Sequence, residues 1–437
     1  MSEDMKLLII SLFVILVFAN IPKFISVTQN TLWNVYYERQ ARETFYNAHV
    51  PEWDNLSYLG RKMTYPPGYF TLKATFLWLL SLNYDLIGDI VFELFSNIAF
   101  VISLVFLTGK LKLRMVNRLL VILFFSSSLF VFTLLSAHLL HVSSLALLFF
   151  SLGFAIDKND SKKQILSGIL LGASALIHPF SLFLFIIFFL GILSTFKIDS
   201  FNAEMLLLPL IIALIIYLPI LLNLSLPRAA LPEEWGWLLS GGLRLSDEFV
   251  LLIPIIVCSL FIGFLRKETR LLSALVLFFL LFYSLISFRV NIIISFLSAL
   301  LVARLIENKK TAMLLLIIIF LNFASSVFIL CYTDNLGSYL SKETFMAINS
   351  LLNTSEEEII ADPIFGHAIT FIAQKKVLAD LYVEYADEEK LRDAIEFGLT
   401  GNLSIARKWG INLAFTTHDC KDWNRIYDNG YYRVCES

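Results

Sequence analysis

Long apolar runs recur along most of the chain, many of about 18 residues, the length that crosses a hydrocarbon core as a helix. They lie near 5–27, 86–108, 119–135, 139–156, 165–177, 180–196, 205–225, 249–265, 271–288, 292–306 and 312–331. The runs are continuously apolar rather than alternating, which predicts eleven helical spans and excludes barrel strands. A shorter apolar segment, 69–82, predicts a helix half-inserted beside the first polar stretch. Two polar stretches interrupt the pattern, 28–85 after the first run and 332–437 after the last. The expected organisation is a multi-span domain over 1–331 with a large first loop at 28–85, followed by a separate unit at 332–437.

Composition agrees with this pattern. The 437 residues are 58% hydrophobic and 16% charged, with mean hydropathy +0.75, which fits a polytopic α-helical membrane protein and not a soluble one. Charge position then sets orientation. One set of short connections carries Lys110, Lys112, Arg114, Arg118, Lys158, Lys162, Lys163, Lys197, Arg266, Lys267, Arg270, Arg304, Lys309 and Lys310. The alternate connections carry only Arg228, Arg244 and Arg289. The positive-inside rule makes the first set cytoplasmic. The expected location is the cell membrane, multi-pass, with the N-terminus inside and both the first loop and residues 332–437 outside. No small-residue cleavage site follows the first run, so it reads as a retained anchor.

Residues 332–437 hold ten Lys/Arg against seventeen Asp/Glu. Short β-type runs at Ile359–Ala361, Val377–Ala379, Ile411–Thr416 and Tyr431–Cys435 alternate with helix-like stretches near 341–352, 386–397 and 402–409, which predicts a small α/β fold. Cys420 and Cys435 both lie here and could form a disulfide or stand as free thiols.

Candidate chemistry concentrates in the first loop. Glu38/Arg42 and Arg39/Glu43 are spaced i,i+4, so about 34–47 suits a helix on the bilayer surface, and Pro51, Gly60, Pro66 and Pro67 then break the chain into turns. Tyr37, Trp53 and Tyr65 offer aromatic faces, and Glu38, Glu43, Asp54 and Arg61 lie beside them. Rings next to carboxylates suit sugar binding, and a carboxylate there can serve as general base toward an acceptor hydroxyl. The alternative is an interfacial helix with belt aromatics. Asp89, Glu93 and Asn97 share one face of the second span, either as a functional polar track or as helix–helix glue. Arg289 ends an apolar run, where it either clamps a lipid phosphate or snorkels. His138, His141 and His178 lie on outer turns, and a lone interfacial His is more often structural. No phosphate-binding loop or nucleophile elbow is present, and no nucleic-acid partner is expected.

The first loop resembles that of prokaryotic GT-C glycosyltransferases, particularly archaeal relatives of oligosaccharyltransferase catalytic subunits. The similarity rests on Tyr36–Tyr37, on Pro51-Glu52-Trp53-Asp54-Asn55-Leu56-Ser57-Tyr58-Leu59-Gly60-Arg61 and on Tyr65-Pro66-Pro67-Gly68-Tyr69. Ala361-Asp362-Pro363-Ile364-Phe365-Gly366-His367 stands where such enzymes carry W-W-D-Y-G, of which only Gly366 remains. The acidic residue expected at the loop's start falls at Asn34, which leaves Glu38 as the nearest acid. The resemblance implies a membrane glycosyltransferase that moves a sugar from a polyprenyl- or dolichyl-phosphate donor, held by Arg289, to a glycan, lipid or protein acceptor on the outer face. The missing acceptor-reading signature argues against protein N-glycosylation. Oligosaccharyltransferases use a divalent metal such as Mg or Mn and not all GT-C enzymes require one, so the resemblance does not decide the cofactor. The competing class is a transporter, flippase or assembly factor for envelope glycans, in which Asp89 and Glu93 would line a pathway.

Overall fold

The computed structural model describes residues 3–25, 34–62, 66–128, 131–132, 134–135, 139–157, 160–195, 204–223, 252–281, 290–332, 342–380 and 387–437. Each apolar run falls on a helix: α1 (Glu3–Ile25), α4 (Leu86–Lys110), α5 (Met115–Ser127), α6 (Leu139–Ala155), α7 (Ser161–Ile177), α8 (Phe180–Thr195), α9 (Glu204–Asn223), α10 (Ile253–Leu265), α11 (Arg270–Leu281), α12 (Val290–Leu305) and α13 (Lys309–Tyr332). Among the described residues three helices are long and apolar enough to cross a membrane, within α1, α4 and α13, and most of the others are shorter apolar helices. Short polar side chains set several of the starts. Asp85 caps α4 by accepting from the Gly88 amide, and Asp160 caps α7.

Inside the bundle, packing of apolar side chains is supplemented by internal hydrogen bonds between short polar side chains, which fix neighbouring helices. Serine pairs do this between α6 and α7, where Ser144 meets Ser174 and Ser151 meets Ser167 at 3.0 Å. Helix α12 is buried over nearly its whole length and forms the centre of the bundle.

The two polar stretches form the rest. The first loop contributes α2 (Asn34–Asn47), a two-residue hairpin β1 (Trp53–Asp54) and β2 (Arg61–Lys62), and α3 (Gly68–Leu79). The C-terminal stretch contributes α14 (Lys342–Ser350), β3 (Glu358–Ala361), α15 (Pro363–Ile372), β4 (Lys376–Val377), α16 (Glu388–Thr400), α17 (Leu403–Lys408), β5 (Leu413–Thr416), β6 (Asn424–Asp428) and β7 (Arg433–Glu436). The sheet order is β4-β3-β5-β7-β6, parallel across its first three strands and antiparallel across the rest. Pattern reading missed β6, whose residues lack alternation, and α15, which Asp362 and Pro363 start as cap and first-turn residue. Cys420 and Cys435 form a disulfide that ties the segment after β5 to β7.

The sheet does not end at β4. The Val377 amide donates to the Leu56 carbonyl at 2.8 Å, and the Leu59 amide donates to the Val377 carbonyl at 3.0 Å. The first loop thereby covers an edge that would otherwise expose unpaired backbone groups.

Candidate functional site

Helix α2 is not the half-wet surface helix that its charge spacing predicts. Tyr36, Glu38, Arg39, Gln40, Ala41 and Thr44 are all buried, because α3 packs on one side of the helix and α15 of the C-terminal stretch on another. Its charges therefore need partners, since an isolated buried charge costs far more than folding can supply.

Three linked clusters provide them. In the first, Tyr69 donates to Glu38 Oε1 at 2.7 Å, the Tyr84 hydroxyl lies 2.5 Å from Oε2, and Lys73 Nζ donates to the same oxygen. Lys73 also reaches Asp89 Oδ1 at 2.8 Å. The expected Glu38–Arg42 pair is not formed. Arg42 lies over the rings of Tyr84 and Phe371, and Lys73 takes its place because α3 points that ammonium straight at α2. Burial pushes the Glu38 carboxyl up, but the Lys73 ammonium and the hydrogen bonds from Lys73, Tyr84 and Tyr69 outweigh it and hold the group below its ordinary value. The Glu38 side chain is 4% exposed and that of Asp89 40%, so of this pair only Asp89 meets open space.

In the second cluster Arg39 grips Asp54 with both guanidinium nitrogens, at 2.8 and 2.6 Å, and Gln40 donates to Asp54 at 3.2 Å. The same carboxylate accepts from the Leu56 and Ser57 amides, which fixes the turn after β1. Glu43 lies 3.7 Å from Arg39, and burial, opposed by Arg39, raises its pKa. In the third, Asp380 at the end of the β4 segment accepts from Ser57 Oγ and lies 3.3 Å from His367 Nδ1 and 3.6 Å from Arg61. Tyr58 donates to the Asp380 carbonyl at 2.8 Å, and the Tyr36 ring stands 5.0 Å from that of His367.

Two glycines permit these approaches. A Cβ on Gly366 would sit 2.6 Å from the Ala379 carbonyl, so only glycine lets α15 bring His367 to Asp380. A Cβ on Gly68 would sit 2.5 Å from the Leu176 carbonyl carbon, so the Pro66-Pro67-Gly68 entry seats α3 against the end of α7, next to His178. His178 is buried with its ring 4.5 Å from that of His141.

The structure thus gathers Glu38, Asp54, Arg61 and Asp89 into one wall with the half-buried Tyr37, while Trp53 stays exposed. Glu93 continues the α4 face one turn beyond Asp89 and is half-buried. Tyr65, His138 and Arg289 lie outside the described residues. Sequence reading missed Lys73 and Asp380. A lone Lys within the apolar 69–82 run was the available signal for the first, since such a charge demands a partner. Among the described residues no three His, Cys, Asp or Glu side chains cluster to hold a metal ion.

Asp380 makes the joint acid-sensitive. Burial pushes its carboxyl up, but His367, Arg61 and the hydrogen bond from Ser57 prevail and hold it well below the usual carboxylate range. An unfolded Asp titrates near about 3.9. Because the folded value is lower, the ionised carboxylate stabilises the joint at neutral pH, and that contribution is lost as pH falls below about 4. Hydrogen exchange should therefore show the Leu59 and Val377 amides losing protection in acid, and Asp380→Asn should flatten that dependence. Protection independent of pH in the parent protein would reject this account.

No protein-family model matches the chain, and no curated protein is similar to it in sequence. Solved structures are. The apo oligosaccharyltransferase of Archaeoglobus fulgidus matches with TM-score 0.61 at 13% identity, over 96% of this chain and 70% of that one. ArnT from Cupriavidus metallidurans in its apo state matches with TM-score 0.58 at 10% identity, over 99% and 98% of the two chains. The mycobacterial arabinofuranosyltransferase AftD matches with TM-score 0.56 at 14% identity, over 96% of this chain and 37% of that one. At such identities the likeness is one of architecture, extending over nearly the whole of this chain: the chain has the GT-C glycosyltransferase fold.

Proposed function

We propose that this protein is a multi-pass membrane glycosyltransferase that moves a sugar from a polyprenyl- or dolichyl-phosphate donor to an acceptor on the outer face. The observation that carries the reading is the GT-C fold joined to a charged, aromatic first loop. Two of the structural relatives support the donor class, since ArnT was solved with undecaprenyl phosphate and the archaeal oligosaccharyltransferase with dolichol-phosphate and an inhibitory peptide. On this reading the eleven helices span the bilayer, and residues 332–437 form an outer domain that clamps the first loop.

The roles follow from exposure and partners. Asp89 presents the carboxylate that takes the acceptor proton. Glu38 and Lys73 hold it from behind, and Glu93 borders it. Asp54 and Glu43 keep Arg39 and α2 in place. Tyr37 and Trp53 offer rings to the sugar, Arg61 holds Asp380 at the joint, and the sequence alone assigns substrate roles to Tyr65, His138 and His178 and the donor phosphate to Arg289. The acceptor oxygen attacks the anomeric carbon, the bond to the lipid phosphate breaks, the proton passes to the carboxylate, and the lipid phosphate leaves with the electron pair. A divalent cation, when bound, would stabilise that leaving group.

Purified protein reconstituted with a membrane lipid extract should release free lipid phosphate in step with sugar transfer. No release with any polyprenyl- or dolichyl-phosphate sugar would overturn the reading. Arg289→Ala should weaken donor binding by about 1–3 kcal/mol, or roughly 5- to 150-fold, and Arg289→Lys should restore only part because the planar fork is lost. Unchanged donor binding in Arg289→Ala would reject that assignment.

A further inference from the structure

The end of the bundle away from the C-terminal sheet carries its own amphipathic groove. The α10–α11 turn and the α12–α13 turn meet there, as the Arg266–Glu307 contact at 2.9 Å and the Arg304–Glu268 contact at 3.5 Å show. Together the two turns hold six basic side chains against two acidic ones. Both acids are engaged by Arg266 and Arg304, which leaves Lys267, Arg270, Lys309 and Lys310 as exposed surplus charge, Arg270 donating to the Phe264 carbonyl. Beside the Arg266–Glu307 pair, an open cavity of about 480 Å³ runs between α10, α12 and α13, lined by Pro254, Cys258, Ile262, Leu305, Ile306 and Leu315. A second open hollow, of about 710 Å³, adjoins it at Asn308 and is bounded by Lys309, Lys310, Met313, Leu314 and Ile317.

A basic mouth above an apolar slot matches one class of molecule at this depth, a bilayer lipid with an anionic head group. We propose that the α10–α13 groove binds an anionic phospholipid, its acyl chains along the slot and its phosphate against Lys309 and Lys310. A diffuse attraction between scattered basic residues and an anionic leaflet would need no groove. Here the apolar slot meets the lysine-bounded hollow at Asn308, which accepts from the Lys310 amide at 2.9 Å and so fixes the backbone where the two join. The charge complementarity and the slot together commit the occupant to a lipid rather than a soluble anion.

Native mass spectrometry on the full chain, extracted from nanodiscs of phosphatidylcholine mixed with phosphatidylglycerol, tests this. The parent protein should retain one phosphatidylglycerol in preference to phosphatidylcholine. The Lys309→Gln/Lys310→Gln variant should lose that preference by about tenfold or more. Cys258→Trp alters no charge, since Cys258 is an exposed groove-lining residue, and it should also evict the lipid. Lys162→Gln, on an exposed lysine at the start of α7, should change nothing. Equal retention of the two lipids by the parent protein would overturn the proposal. So would a loss in Lys162→Gln matching that in the double variant, because the attraction would then be diffuse.

Discussion

Replacing Lys73 by methionine is expected to destabilise the contact between the first loop and the bundle by about 3–5 kcal/mol, the usual cost of orphaning a buried charge. Lys73 is 1% exposed and is the cation shared by Glu38 and Asp89. Methionine fills a similar volume, so the loss is electrostatic and not a cavity. The Glu38 carboxylate would keep its two tyrosine donors but no counter-charge, inside a wall made by Tyr69, Tyr84 and Phe92. A second substitution separates this account from simple misfolding. In Lys73→Met/Glu38→Gln the acid that needed neutralising is gone, and most of the stability should return, because removing both members of a buried pair costs far less than removing one. Thermal unfolding in detergent reads both variants. A double variant as unstable as the single one would show that Lys73 acts through packing alone.

The helices and the sheet were legible because their causes are local. Each apolar run holds a helix, although only three of these helices reach span length among the described residues, and β-type runs gave β3, β5 and β7. The site was legible only in part, and for a physical reason. Spacing along α2 predicts partners on its own helix, and it correctly pairs Arg39 with Glu43. It is blind to partners that arrive from elsewhere. Lys73 comes from the next helix, and Asp380 lies 323 residues from the Ser57 that it contacts. Burial decides between the two kinds of pair. Once α3 and α15 cover α2, a solvated i,i+4 bridge is worth under about 1 kcal/mol, whereas leaving Glu38 without a close cation would cost several times more. The same cover explains why Asp54, a candidate base in the sequence, is held at both oxygens by Arg39 and by two turn amides.

Asp89→Asn should abolish most sugar transfer, by a factor of about 10²–10⁴, while the protein folds normally. The reasoning starts from which acid can accept a proton. Glu38 is enclosed, and its two oxygens already take donors from Tyr69, Tyr84 and Lys73. Freeing it would require α2, α3 and the segment before α4 to separate. Asp89 shares the same ammonium through one oxygen and keeps its side chain 40% exposed, so an acceptor hydroxyl can approach without opening the wall. Asparagine keeps the shape and some hydrogen bonding but cannot take the proton. Glu38→Gln should act differently. It leaves Lys73 paired with Asp89 alone, so the loss should fall mainly on stability and on the precision of Asp89, with transfer reduced by an order of magnitude less than in Asp89→Asn. Glu43→Gln should matter least, since its side chain is 34% exposed and its charge partner Arg39 is already gripped by Asp54. Transfer rates of the three variants, each checked for a parent-like melting curve, decide the order. Folded Asp89→Asn that transfers sugar at the parent rate would remove Asp89 from the chemistry. A profound loss confined to Glu38→Gln would instead return the role to the first-loop acid and require that the wall opens during turnover.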